Sequence, residues 1–251
     1  MAAADDKLDV LFRDDNLVAV FKPAGLATIP GRGETDSVLE RLGRQLGIPS
    51  AGEADPRVRV VHRLDKDTSG VLLFALNRAA QQHLSHQFQN NTVEKEYLAL
   101  VRGRPREAAG VVDAPLAPHP TSVKRMAVVK HGGRPARTEW RLEESFRGLS
   151  LLRCFPRTGK THQIRVHLAH VAMPLAIDPL YGSAEPIFLS QFKRGYRPTR
   201  GETERPLISR LTLHAEKLRV TNLDGRAIEI VAPPPKDLRA TLNQLRRHGR
   251  A

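Results

Sequence analysis

The run His62-Arg63-Leu64-Asp65-Lys66-Asp67-Thr68-Ser69-Gly70 holds the residue types most able to do chemistry in this chain. Asp65 lies between Arg63 and Lys66. Cationic neighbours favour the ionised form of an acid, and an ionised carboxylate can act as a base or form a covalent intermediate. Val58–Val61 precedes the run, and the apolar stretch Val71–Leu76 after it reads as a strand. Asp65 therefore stands at the mouth of a strand. An isolated Asp between basic residues is more often a solvated turn than a nucleophile, so other parts of the chain must decide.

Other chemical motifs fail on spacing. Gly159-Lys160-Thr161 imitates the end of a phosphate-binding loop, but Cys154 stands where that loop needs its first glycine. A triphosphate site is not supported. His162, His167 and His170 scatter around a helix with no Glu between a His pair, so they read as structural or RNA-facing rather than as metal ligands. Cys154 sits in the apolar run Leu149–Phe155 and reads as a buried thiol. Neither a metal nor a cofactor is expected.

Three segments together resemble the RluA family of RNA pseudouridine synthases: the run from His62 to Gly70, the strand Glu94-Lys95-Glu96-Tyr97-Leu98-Ala99, and the basic helix from Thr158 to Leu168. Lys22-Pro23-Ala24-Gly25 and Leu213-His214-Ala215 are weaker matches, and all five fall in the family's order across roughly residues 10 to 233. The resemblance implies an enzyme that detaches uracil from its ribose, rotates it and rejoins it through carbon. It implies Asp65 as nucleophile or base, Arg165 against it to keep it ionised and aimed, and Tyr97 stacking on the uracil with a hand in proton transfer. Arg63 and His62 would lie beside the nucleophile, Arg63 entering the RNA stack as the target turns out; chemistry on a base requires such unstacking. Lys22, Lys160 and His162 would be phosphate neighbours. Ile177 departs from the family's usual glycine, and a turn needing positive φ there would strain a β-branched side chain. An RNA-binding or chaperone protein with vestigial chemistry is the alternative on this scaffold; the intact Asp65, Tyr97 and Arg165 argue against decay.

The elements that must carry these residues are legible in pattern. Val10–Phe12 and Leu17–Phe21 around Asp14-Asp15-Asn16 predict a hairpin. Helices are predicted over Ser37–Leu46, with Asp36 or Ser37 as cap, over Ala79–Phe88 and over Thr161–Val171. Strands are predicted at Lys95–Val101, Ala127–Val129, Thr138–Leu142, Leu149–Phe155, Leu211–Val220 and Ala227–Val231, and a surface helix near 236–247. Residues 182–206 read as a basic, mobile insertion too polar for a core. Strands and helices do not alternate strictly. That pattern favours an α+β domain with a mixed, mainly antiparallel central sheet flanked by helices and loops. The chain reads as one catalytic domain, 1–251, without the S4 module of some relatives.

Composition narrows the partners. The chain has 251 residues and a net charge of +13. Residues 1–125 hold 17 Lys+Arg against 16 Asp+Glu, whereas residues 126–251 hold 23 against 11. Nearly all the excess positive charge therefore lies in one half, spread through folded-looking sequence at Arg134, Arg137, Arg141, Arg153, Arg157, Lys160 and Arg165, which points to a polyanion. Ribosomal or transfer RNA is the expected partner rather than a membrane. One cysteine excludes an intrachain disulfide. With no apolar run of membrane-spanning length and no signal-peptide pattern at the N-terminus, a cytoplasmic monomer is expected.

Overall fold

The computed structural model describes residues 7–31, 35–197 and 203–250. The chain begins with the predicted hairpin, β1 (Val10–Arg13) and β2 (Leu17–Lys22). Its turn is set by Asp14, whose Oδ1 accepts the amides of Asn16 and Leu17, both at 2.8 Å. Helix α1 (Val38–Leu46) starts at Ser37, whose hydroxyl oxygen accepts the Glu40 amide, and stops at Gly47 in the left-handed region. Then come β3 (Arg59–Val60), β4 (Ser69–Ala75) and α2 (Arg78–Gln89), the last capped by Asn77.

The second stretch of chain is strand-rich: β5 (Glu94–Arg102), β6 (Ala109–Asp113), β7 (Leu116–His119), β8 (Ser122–Val128), β9 (Arg137–Phe146) and β10 (Leu149–Pro156). Helix α3 (Gln163–His170), β11 (Leu213–Thr221), β12 (Ala227–Val231) and α4 (Lys236–His248) complete it. The fold class is α+β with mainly antiparallel strands. No described helix is long and apolar enough to cross a membrane.

The chain gathers into two compact units, one of residues 1–96 and 215–233, the other of 97–214 and 234–251. In the first unit β4 pairs antiparallel with β2 and with the short β3, and β11 pairs with β12. Every residue of β4 is buried, which is why its sequence is a continuous apolar run rather than an alternation. Val71, Leu73 and Ala75 on one face of β4 join Leu17, Ala19, Ala80 of α2, Leu84, Leu218 and Ile230 in one core.

In the second unit the strand order is β5-β10-β9-β6, and β7 with β8 forms a separate ribbon. Ala99, Val101, Leu152 and Cys154 pack with Ile164 and Leu168 of α3. Burial drives the Cys154 thiol pKa up to about 12, so this side chain behaves as an apolar core group. A further core of this unit takes Leu238, Leu242 and Leu245 of α4 together with Ile177, Ile187 and Phe192.

That last core corrects two expectations. Ile187 and Phe192 are buried, and Ile187 exchanges backbone bonds with Leu207 and Ile208, so residues 182–206 contribute apolar anchors to a core. Residues 198–202 of that stretch lie outside the described residues. Ile177 is a buried core residue and is not among the residues with positive φ, so no strain attends the departure from glycine.

Candidate active site

Asp65 opens a tight turn: the Thr68 amide donates to the Asp65 carbonyl at 3.1 Å, and the chain reverses into β4. The carboxylate-bearing residue is half-buried. Its backbone is held on both sides by the segment after β2. On the upstream side, the buried Thr28 hydroxyl donates to the Leu64 carbonyl and accepts the Leu64 amide. On the downstream side, the Lys66 carbonyl accepts Lys22 Nζ at 2.7 Å and the Gly25 amide at 2.9 Å. Lys22 Nζ also donates to the Pro23 carbonyl, and Gly25 has φ +85, where a side chain would be strained. The four residues Lys22-Pro23-Ala24-Gly25 thus form a cradle for the turn that carries Asp65.

Gly70 shows why Ala215 of β11 lies against this turn. With φ +130, Gly70 faces the Ala215 backbone so closely that a Cβ there would lie 2.1 Å from the Ala215 carbonyl oxygen. Only glycine allows β11 this approach. His62 fixes the other end of the segment. Its Nε2 accepts the Leu73 amide at 2.9 Å, continuing the pairing of β4 past Val60, where β3 ends. The ring stacks on Phe88 with centroids 4.6 Å apart. Burial, then the charge of Lys95, lowers the His62 pKa to about 3, so the imidazole stays neutral and able to accept.

Of the five residues expected to meet RNA, two hold protein instead. Lys22 is fully buried, so its ammonium cannot reach a phosphate in this arrangement; it bonds the turn. His62 serves the strand and the Phe88 stack. Arg63, by contrast, is exposed, with no side-chain partner among the described residues. Lys160 is half-buried, its amide held by Gln163 Oε1. His162 sits in the left-handed region at φ 55 as the cap residue of α3, and its Nδ1 lies 2.8 Å from the Tyr181 hydroxyl.

In the second unit Arg165 is buried on α3, not a surface cation. Its Nε and Nη2 donate to the two carboxylate oxygens of Asp178, each at 2.8 Å. The Tyr181 ring centroid lies 5.2 Å from the Arg165 guanidinium carbon and 5.3 Å from that of Arg125. Asp178 is fully buried, and its Oδ1 also accepts the amides of Leu180 and Tyr181. Two-point pairing is the arrangement in which a buried guanidinium is best compensated.

The loop before α3 is organised by Gln163, whose side chain accepts the Thr158 hydroxyl and the Lys160 amide. Its Nε2 donates to the Arg137 carbonyl and to Thr138 Oγ1, and Thr138 Oγ1 lies 2.9 Å from Nδ1 of the fully buried His167. His167 is structural, its pKa lowered chiefly by burial. Tyr97 stands on β5 opposite Cys154 of β10, half-buried against the core that contains Ile164 and Leu168. Among the described residues no group of three His, Cys, Asp or Glu is arranged to hold a metal.

Sequence reasoning missed Thr28, Asp178 and Tyr181. Thr28 gave no signal, since a lone threonine in a loop has no pattern. Asp178-Pro179-Leu180-Tyr181 did carry one: an Asp before Pro, whose side chain accepts amides two and three residues on, is turn chemistry readable from sequence.

Comparison with known proteins now adds to this geometry. A family model described as RNA pseudouridylate synthase matches residues 16–170. The ribosomal large subunit pseudouridine synthase D of Nitrosomonas europaea is 42% identical over 240 residues, covering 95% of this chain and 65% of that protein. Its counterpart from Xanthomonas campestris is 40% identical over 248 residues, covering 98% of this chain and 71% of that protein. The chain therefore spans about two thirds of the length of these curated relatives. The solved structure named human RNA pseudouridylate synthase domain containing 4 aligns with a TM-score of 0.70 at 26% identity, covering 95% of this chain and 93% of that one. The corresponding human domain containing 1 aligns at 0.71 and 25% identity, covering 94% and 86%. With more than half its length matched by the family model and over 35% identity to these relatives, this chain belongs to the RNA pseudouridylate synthase family.

Proposed function

We propose that this chain is an isomerase converting uridine to pseudouridine in large-subunit ribosomal RNA, with Asp65 as its nucleophile or base. The observation that carries the reading is the cradled turn. A carboxylate-bearing backbone held by Thr28 above and by Lys22 and Gly25 below is built to keep one acid in place. Membership of the family supplies the reaction class, and the names of the bacterial relatives supply the substrate.

The reaction balances without a co-reactant. The bond from N1 to C1′ breaks, a bond from C5 to C1′ forms, C5 gives up a proton and N1 takes one. In this reading Asp65 acts at the nucleotide, Arg165 is the cation of the reacting site, and Tyr97 stacks on the freed uracil and takes part in proton transfer. Arg63 enters the stack left by the target, and Lys160 and His162 lie near phosphate. The protein acts as a cytoplasmic monomer, on ribosomal rather than transfer RNA.

The test is conversion by purified protein of large-subunit ribosomal RNA and of a transfer RNA pool, with pseudouridine read by chemical labelling and mass spectrometry. Conversion of ribosomal RNA by the natural protein, and none by Asp65→Asn, is expected. Equal outcomes for the two proteins, or conversion of transfer RNA alone, would sink the reading.

A further inference from the structure

Asp178 is a fully buried carboxylate that accepts donors of the protein's own fold. Oδ2 accepts Arg165 Nε, and Oδ1 accepts Arg165 Nη2 and the amides of Leu180 and Tyr181. The acid thereby fixes the plane of one guanidinium from two points. Nη1 is the nitrogen of that fork which Asp178 does not engage. Arginine is a long side chain with many rotamers, and a two-point bond selects one of them.

Tyr181 holds the same group from another side. Its ring lies over the Arg165 guanidinium, and its hydroxyl accepts the Met126 amide of β8 at 2.7 Å. The hydroxyl also lies 2.8 Å from His162 Nδ1, and the two rings meet edge to face at 5.6 Å. The phenol is thus tied at its tip to β8 and to the cap of α3, so its ring cannot swing away from Arg165. Asp178 in turn fixes the Tyr181 backbone through Oδ1. Carboxylate, ring and guanidinium form a closed triangle within one unit of the fold.

From this we infer that Asp178 and Tyr181 are positioning residues for isomerisation: together they hold the Arg165 guanidinium in the single pose the reaction uses. The inference rests on the reading of Arg165 as a working residue of the proposed isomerase. It assigns to the segment Asp178-Pro179-Leu180-Tyr181 a task in the rate of the chemical step rather than in RNA binding.

The experiment measures single-turnover conversion, RNA dissociation constant and melting temperature for the natural protein, Asp178→Asn, Tyr181→Leu and Tyr181→Phe. It also records the nitrogen-15 signal of the Arg165 Nε–H group, assigned by its loss in Arg165→Lys. Tyr181→Leu is expected to slow conversion at least tenfold while RNA affinity stays within threefold. Tyr181→Phe, which keeps the ring, is expected to recover at least fivefold over Tyr181→Leu. In the natural protein the Arg165 signal is expected to exchange with solvent far more slowly than those of surface arginines, and to lose that protection in Asp178→Asn.

A full-rate Tyr181→Leu, or equal losses of rate and affinity, overturns the inference. So does an Arg165 signal exchanging at surface speed in the natural protein, a result that stands even if Asp178→Asn fails to fold. Absence of conversion by the natural protein removes the enzymatic reading and this role with it. Conversion by the natural protein alongside any of the overturning results removes the inference alone.

Discussion

In the proposed isomerase the Asp65 carboxylate must stay in place while a polymer is pulled against it, and Lys22 bonds the turn that carries it. Its buried ammonium bridges the Pro23 and Lys66 carbonyls. Lys22→Met keeps the length and apolar stem but takes the side-chain donor from the Pro23 carbonyl, at a cost of roughly 1–3 kcal/mol where burial is complete, and leaves the Lys66 carbonyl only the Gly25 amide. Single-turnover rate should fall at least tenfold with RNA affinity nearly intact; weakened affinity with an intact rate would mean that the ammonium meets phosphate after all. His62 carries a pH signature. Its pKa is about 3 in the folded chain against 6.5 for the free side chain. Between those values the unfolded chain binds the additional proton, so stability is complete above about pH 6.5 and declines as pH falls below it. His167, shifted in the same direction by burial, adds to that window. Melting temperature should drop between pH 7 and pH 5, and His62→Gln, whose amide oxygen can accept the Leu73 amide, should make the drop shallower.

At the scale of elements, the approach of β11 to β4 is the constraint that shapes the turn. Gly70 permits it, because any side chain would collide with the Ala215 carbonyl and also demand an unfavourable φ. Gly70→Ala should therefore destabilise by about 3 kcal/mol or more, the range of strained or overpacked core positions. Denaturant titration reads this directly, and a loss below about 1 kcal/mol would show that the two strands can separate at little cost. The ribbon β7–β8 stands apart from the strands of β5, β10, β9 and β6, and Val123 on it is fully exposed. Sequence pattern predicted only Ala127–Val129 where β8 runs Ser122–Val128, and missed β6 and β7: Ala109–Asp113 and Leu116–His119 are short and interrupted by Gly and Pro, so they lack the alternation that marks a strand.

For the molecule as a whole, the structure divides the positive charge into paired and available parts. Arg137 meets Asp113 and Glu139, Arg157 meets Glu139, and Arg141 and Arg153 meet Glu143. Arg165, Arg210 and Arg246 have Asp178, Asp237 and Glu144. The pairs of Arg137, Arg141, Arg153 and Arg157 lie at the surface and add little stability, but each occupies a cation that the sequence suggested for phosphate. Lys193, Arg194 and Arg197 are exposed, and Lys193 lies over the Tyr196 ring. Neutralising these three should weaken RNA binding and flatten its salt dependence by about 0.7–0.9 in logarithmic slope for each phosphate left without its cation. Arg141→Gln, at a paired position, should leave the slope unchanged. If the triple variant keeps the natural slope, phosphate does not meet that segment.

The sequence by itself determined the family, the α+β class and most strands and helices, and it singled out Asp65, because these depend on local pattern and on residue types in a fixed order. Helix α1 is an example: Ser37 and the spacing of Val38, Leu42 and Leu46 state its start and face. Which cations are paired with carboxylates, that Lys22 and His62 bond protein groups, and that Asp178 grips Arg165 were decided only by the tertiary structure. The physical reason is that a charged or polar side chain takes its role from its burial and its partner. Arg165 and Asp178 are thirteen residues apart, and Lys22 and Lys66 forty-four, and no periodicity along the chain encodes such pairings.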